Sequence, residues 1–257
     1  MPPGKLITFE GIECSGKGTQ ITKLLEYFIK CRLPIFVTHE PGGTQCGEAL
    51  RALLKHPEIT FAGLQKAFTG HSDFPSQPWK GPADDRAPAT ELFMFLAARA
   101  EFIDKVIFPR ISEGVHVISD RLHDSTRAYQ GGGRFYSRPE MIEVINRNNF
   151  LAMQGLRPDI TFLLDITVET MLNRMEKEDD EKNSFFEKKF DPLCFERVRQ
   201  EYLQIQSEEP QRVVLIDGSQ SKEIVFEKIK SHCQKLFDLT DVNNIKMNQK
   251  GTGELLC

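Results

Sequence analysis

The chain has 257 residues and a formal net charge of -4, with 33 Lys and Arg against 37 Asp and Glu. That length suits one large α/β domain or two small ones, and the charge gives no reason to expect nonspecific nucleic-acid binding, although a local positive pocket can still hold a nucleotide. No leading apolar signal segment is visible and no apolar run is long enough to cross a bilayer, so the expected setting is cytoplasmic with no membrane partner.

Residues 5–10 read as a first strand, and residues 16–31 as the helix after it. Between them lies Gly11-Ile12-Glu13-Cys14-Ser15-Gly16-Lys17-Gly18-Thr19. Gly11, four intervening residues, Gly16 and Lys17 match most of the P-loop pattern, with Gly18 where a Ser or Thr usually follows. Such a turn points successive backbone N–H groups at phosphate, and the lysine adds a charge that can follow a transferring group. A chance glycine-rich turn is the plain alternative; the strand–loop–helix setting favours phosphate binding.

Residues 33–39 form the next strand and 44–54 a helix. Glu40-Pro41-Gly42-Gly43-Thr44 joins them, with Pro41 restricting the backbone and two glycines allowing a ligand close approach. Arg51 either points into the same crevice, where its fork suits a monophosphate, or stays on the surface. Residues 56–90 carry several prolines and glycines with Phe61, Phe68, Phe74 and Trp79, and read as an elaborated insertion, with structural padding the plainer alternative.

A strong amphipathic helix is predicted over 91–111, placing Phe95 and Arg99 four positions apart on one face. A base-stacking ring beside a polar contact and a core ring beside a surface arginine fit that spacing equally. Residues 115–119 form a strand with Asp120 and Arg121 at its carboxyl end, where ligands of open α/β sheets collect. Asp120 can orient magnesium through water, and Arg121 can bridge reacting phosphates; an ion-paired strand end is the competing reading. Ser125, Thr126 and Tyr129 follow at helical spacing, and Gly131, Gly132 and Gly133 read as a wide turn. His123 reads as structural or peripheral.

Helices over 138–154, 167–178 and 192–207, strands over 159–165 and 212–216, and a last helix over 221–236 complete a regular alternation typical of parallel α/β architecture. The charge-dense segment 176–189 is a lid candidate, or an ordinary solvated connection. Residues 240–257 read as a loosely held tail. Cys14, Cys31, Cys46, Cys194, Cys233 and Cys257 are scattered, with no CxxC pair and no zinc-ligand spacing.

Taken together, the 11–20 loop, the Glu40–Thr44 turn, the 91–99 helix, the 120–134 segment and Phe195-Glu196-Arg197-Val198-Arg199-Gln200-Glu201-Tyr202-Leu203 resemble the bacterial-type thymidylate kinase family of nucleoside monophosphate kinases. The resemblance covers most of residues 5–236. It implies a P-loop NTPase three-layer sandwich around a five-stranded parallel sheet, a helical lid, and usually a homodimer. It implies magnesium-dependent transfer of a phosphoryl group from ATP to dTMP, giving ADP and dTDP.

By position, Lys17 and the Gly11–Thr19 loop would cradle ATP, with Glu13 beside the acceptor holding magnesium or sugar. Pro41 would shape the acceptor wall, Phe95 stack beneath thymine, and Arg99 read its polar edge. Arg121 would span the reacting phosphates; Ser125, Thr126, Tyr129 and Gln130 would line the nucleoside, with Tyr129 crowding the sugar in favour of deoxyribose. Metal candidates are Glu13 and Asp120. Phe185-Phe186-Glu187 stands near the place where relatives often carry an arginine before an acid, so Arg174, Lys182, Lys188 and Lys189 are the lid cations considered.

The expected chemistry is in-line transfer without a covalent intermediate, dominated by positioning and electrostatics. A kinase of another nucleoside monophosphate and a catalytically impaired nucleotide-binding homologue remain the alternatives.

Overall fold

A computed structural model describes residues 2–55, 86–177 and 191–239. Five parallel strands form one sheet in the order β2-β3-β1-β4-β5, with β1 Leu6–Glu10, β2 Ile35–His39, β3 His116–Asp120, β4 Ile160–Asp165 and β5 Val213–Asp217. The helices are α1 Lys17–Lys30, α2 Gln45–Lys55, α3 Pro88–Phe102, α4 Phe108–Ser112, α5 His123–Thr126, α6 Glu140–Ala152, α7 Val168–Met175, α8 Pro192–Glu208 and α9 Lys222–Leu236. A π-helical segment, Ile103–Ile107, joins α3 to α4, and a second, Arg127–Arg134, continues α5.

Every residue of β1 is buried, as a central strand covered on both faces requires. Side chains alternate across the sheet, so Ile7 and Phe9 join Leu24 and Phe28 of α1, Phe162, and Ile229 of α9 in one core. Leu6 faces the other way, into Phe102, Ile107 and Val117. That alternation puts Glu10 on the Leu6 side, at the strand's carboxyl end.

Strand and helix expectations agree with the structure to within a few residues, apart from two places. The long helix starts at Pro88, three residues before the predicted start, because proline is well suited to a first helical position. Residues 88–90 therefore belong to α3 and not to the insertion; residues 56–85 lie outside the described part, as do 178–190 of the lid segment and the 240–257 tail.

The second difference concerns Gly131, Gly132 and Gly133, which form no wide turn but lie inside the π-helical segment. A Cβ on Gly132 would sit 2.8 Å from Glu201 Cβ, and one on Gly133 would sit 3.2 Å from Val198 Cγ2. The glycines let the segment press against α8. Arg127 ties the same pair together through Glu201 (2.7 Å) and Glu208.

Candidate active site

The loop after β1 turns sharply at Gly11, whose φ is 135° and where a Cβ would meet Leu164 O at 2.4 Å. Gly16, at φ 97°, caps α1 in a left-handed conformation that favours glycine. Lys17 opens the helix and its ammonium crosses the loop, donating to Gly11 O (3.1 Å), Ile12 O (2.9 Å) and Ser15 Oγ (3.3 Å). Burial, and then the charge of Arg121, push its pKa down to about 8, against the pull of Asp120, Glu13 and Glu10. Gly18 faces open space on the exposed side of the helix.

A cavity of about 230 Å³ opens beside this loop, beyond the carboxyl ends of β1, β2 and β3. The expected residues Glu13, Pro41, Arg51, Phe95, Arg99, Asp120, Arg121, Ser125, Thr126, Tyr129 and Gln130 all line it. Residues from four separate stretches of chain thus converge on one crevice, to which the loop after β1 contributes Glu13.

Arg121 stands at its centre. Its backbone takes φ 70°, in the left-handed region, at the sharp exit from β3. Nη1 donates to Gly11 O (2.9 Å), and Nη2 to Glu13 Oε1 (3.1 Å). Burial works against the guanidinium charge, but Tyr129, Tyr202, Glu13 and Asp120 around it hold its pKa well above the ordinary value. Glu13 in turn accepts the Tyr129 hydroxyl at 2.7 and 2.6 Å.

The cavity wall at Phe95 and Arg99 rules out a core ring beside a surface arginine. Arg99, not the ring, is the deeply buried member, 1 % exposed, while Phe95 is half-buried in the cavity wall. Arg99 donates from Nε and Nη2 to Glu40 Oε2 (3.0 and 2.8 Å), from Nη1 to Asn149 Oδ1 (2.6 Å) and from Nη2 to Leu122 O (3.3 Å). Among the described residues, four of its five N–H groups are directed at protein, which leaves one Nη1 hydrogen. Arg51 donates to Pro41 O at 2.6 Å, which bends its guanidinium back over the turn. Gly43 N–H donates to Glu48 Oε1 (2.8 Å) and closes that turn.

A family model described as thymidylate kinase matches residues 9–69 and 81–229, with its break at residues 70–80. The chain belongs to the thymidylate kinase family. It is 36 % identical over 234 residues to thymidylate kinase of Neisseria gonorrhoeae (strain ATCC 700825 / FA 1090), covering 91 % of this chain and 96 % of that one. It is 38 % identical over 223 residues to thymidylate kinase of Nitrosospira multiformis, covering 86 % and 93 % respectively. The crystal structure of thymidylate kinase from Ehrlichia chaffeensis superposes with a TM-score of 0.61 at 29 % identity, covering 91 % of this chain and all of that one.

Within this thymidylate kinase scaffold, Arg174 bridges two loops and does not extend over the cavity. It donates to Cys14 O of the phosphate loop and to Gly218 O after β5, each at 2.9 Å. Lys182, Lys188 and Lys189 lie outside the described residues. His123 has its pKa lowered to about 4 by burial and is absent from the cavity lining, in keeping with a structural role.

Sequence reasoning passed over two groups here. Glu40 was read only as part of a turn, yet it is the buried counter-ion of Arg99; burial raises its pKa and the arginine opposes that rise. Glu10 was read only as the last residue of a strand. Burial and then the Asp124 charge raise its pKa to about 7, although Ser125, Arg121 and Leu122 pull the other way. An acid at the carboxyl end of an apolar strand was the available signal for Glu10, the same one that singled out Asp120.

Proposed function

We propose that this thymidylate kinase carries the terminal phosphoryl group of ATP to dTMP across the Lys17–Arg121 rim, releasing ADP and dTDP. The observation that carries the assignment of residues is the convergence of Glu13, Arg121 and Tyr129 on the cavity wall nearest Gly11. In this reading the loop Gly11–Thr19, with Ile12, Cys14, Ser15 and Gly18 contributing backbone, binds the ATP phosphates, and Lys17 neutralises the transferring group. Glu13 and Tyr129 hold the sugar end of dTMP, and Arg121 lies between donor and acceptor.

Phe95 stacks on thymine, and the remaining Nη1 hydrogen of Arg99 meets its polar edge. Pro41, Arg51, Ser125, Thr126 and Gln130 complete the acceptor walls. The acceptor is already a phosphate oxygen, so no strong base is required, and the barrier is lowered by alignment and charge compensation. Arg174 holds the phosphate loop against the loop after β5.

Magnesium is the cation of this reading. Among the described residues, Asp120 Oδ1 is buried with no hydrogen-bond partner, which suits a carboxylate facing a hydrated cation. Magnesium keeps several waters and binds through one or two carboxylates plus substrate phosphates, so a cage of three protein ligands is not needed. Asp120 and Glu13 would hold it, and when bound it supplies charge compensation to the phosphates.

Two further assignments belong to the same reading. A homodimer would cover Phe93 of α3 and Phe150 and Leu151 of α6, which are 62 %, 68 % and 74 % exposed on two helices that pack together. Light scattering showing only monomer at working concentration would remove it. The site of action is taken as the cytoplasm, alongside the nucleotide substrates; among the described residues no helix is long and apolar enough to cross a membrane.

The direct test is to incubate purified protein with ATP, magnesium and a panel of nucleoside monophosphates. Diphosphate should form from dTMP ahead of every other acceptor. Nucleotide binding without any diphosphate product would reject the assignment.

A further inference from the structure

Glu10 is fully buried, and its two carboxylate oxygens serve two ends of the same residue. Oε1 accepts the N–H of Leu122 at 2.7 Å, which fixes the peptide leaving Arg121. Oε2 accepts the hydroxyls of Ser125 (2.6 Å) and Tyr202 (3.0 Å). Those two hydroxyl oxygens lie 2.8 Å apart and each stands 3.2 Å from Arg121 Nη1.

We infer that Glu10 and Tyr202 are positioning residues for Arg121, with one buried carboxylate locking both the backbone turn and the hydroxyl cradle that aim its guanidinium. The inference rests on the proposed role of Arg121 between the reacting phosphates.

Hydrogen-bond polarity makes the arrangement directional. A backbone N–H can only donate, so Oε1 must accept. When ionised, above its pKa of about 7, the carboxylate has no proton to give, so the two hydroxyls share two protons over their contacts to Oε2 and to each other and keep lone pairs for Arg121. The backbone is held at three points: Arg121 N–H donates to Phe9 O (3.0 Å), Ser119 Oγ donates to Arg121 O (2.8 Å), and Leu122 N–H donates to Glu10. Residues with positive φ persist where surrounding contacts over-determine them, as these do. Tyr202 reaches the cluster from α8, where its ring meets Tyr129 edge-on with centroids 6.2 Å apart. Glu10 lines no part of the cavity, so its action is through Arg121.

Replacing Glu10 by Gln keeps the shape but puts N–H groups against at least one partner, turning hydroxyl protons toward the guanidinium. Glu10→Gln should lower kcat by about 100-fold, the scale for losing one preorganised charge contact, with KM for dTMP changed less than about threefold. Tyr202→Phe, which removes one hydroxyl and no volume, should lower kcat by about tenfold in the same way.

The deciding measurement is the double-mutant cycle with Arg121→Ala, followed by labelled phosphoryl transfer. If Glu10 acts through Arg121, Glu10→Gln and Tyr202→Phe add little further loss once Arg121 is gone. Equal losses in both backgrounds, or full kcat in either single variant, overturn the inference. Should Glu10→Gln fail to fold, the Tyr202→Phe arm decides alone. Retained activity in Arg121→Ala itself would instead remove the role assigned to Arg121, a result distinguishable from the others.

Discussion

The hydroxyl of Tyr129 sits 2.7 and 2.6 Å from the two carboxylate oxygens of Glu13, so the aromatic wall of the cavity and the acid in the loop after β1 are one fixed unit. Hydrogen bonds to charged groups contribute about 1.5–3 kcal/mol. Tyr129→Phe keeps the ring but removes its hydroxyl from Glu13, leaving Arg121 as the acid's partner. The kcat/KM for dTMP should then fall by about 10- to 100-fold, that energy expressed as a rate ratio. Because the ring remains, the preference for deoxyribose over ribose acceptors should not change; paired kinetics on the two sugars check this.

Lys17 makes a pH prediction whose sign follows from its surroundings. Its pKa is lowered to about 8 in the free protein, so the charged form is lost as pH rises through that value. The kcat/KM for ATP, which reports the free enzyme, should fall above about pH 8. The kcat should hold to higher pH, because bound phosphates favour the ammonium. Lys17→Ala should cost about 100- to 1,000-fold in kcat and abolish the alkaline limb.

The Arg99–Glu40 pair is almost wholly buried, with side chains 2 % and 1 % exposed. Removing one partner of such a pair leaves an uncompensated charge and typically costs about 3–5 kcal/mol. Arg99→Met should therefore destabilise the fold by that order at neutral pH. Glu40 already has a raised pKa from burial, and loss of the arginine raises it further. Protonation then relieves the penalty, so the destabilisation should shrink as pH falls toward 5. Denaturant unfolding of both proteins across that range would show it; a deficit independent of pH would contradict the account.

Gly132 tests the packing of the second π-helical segment. An added Cβ meets Glu201 Cβ at 2.8 Å and Arg197 O at 3.0 Å, neither of which is a flexible tip. Overpacking of this kind costs about 1–3 kcal/mol. Gly132→Ala should lower Tm by roughly 2–4 °C for each kcal/mol lost. The KM for dTMP should rise too, because Tyr129 and Gln130 ride on the same segment. Calorimetry and acceptor titration together check both halves.

How much was legible in the chain follows from how local each signal is. The Gly11–Lys17 loop, the Glu40–Thr44 turn and the Asp120–Arg121 strand end are contiguous, and their chemistry is set by a handful of adjacent residues. Strand and helix alternation is likewise written in local periodicity, which is why the five strands fall where expected to within a few residues. The three successive glycines misled because glycine serves both turns and close helix contacts, and only α8 lying against them distinguishes the two.

What folding alone decided is which distant groups share a proton or a charge. Glu10 meets Tyr202 across 192 residues of sequence and Ser125 across 115, because α8 and α5 pack at the end of β1, which no local pattern encodes. Arg99 is drawn inward by Glu40 and Asn149, 59 and 50 residues away. The amino-acid order by itself set the phosphate loop, the strand ends and the family. Burial in three dimensions raises the pKa of Glu10 and Glu40 and lowers that of Lys17, because desolvation depends on what surrounds a group and not on its neighbours along the chain.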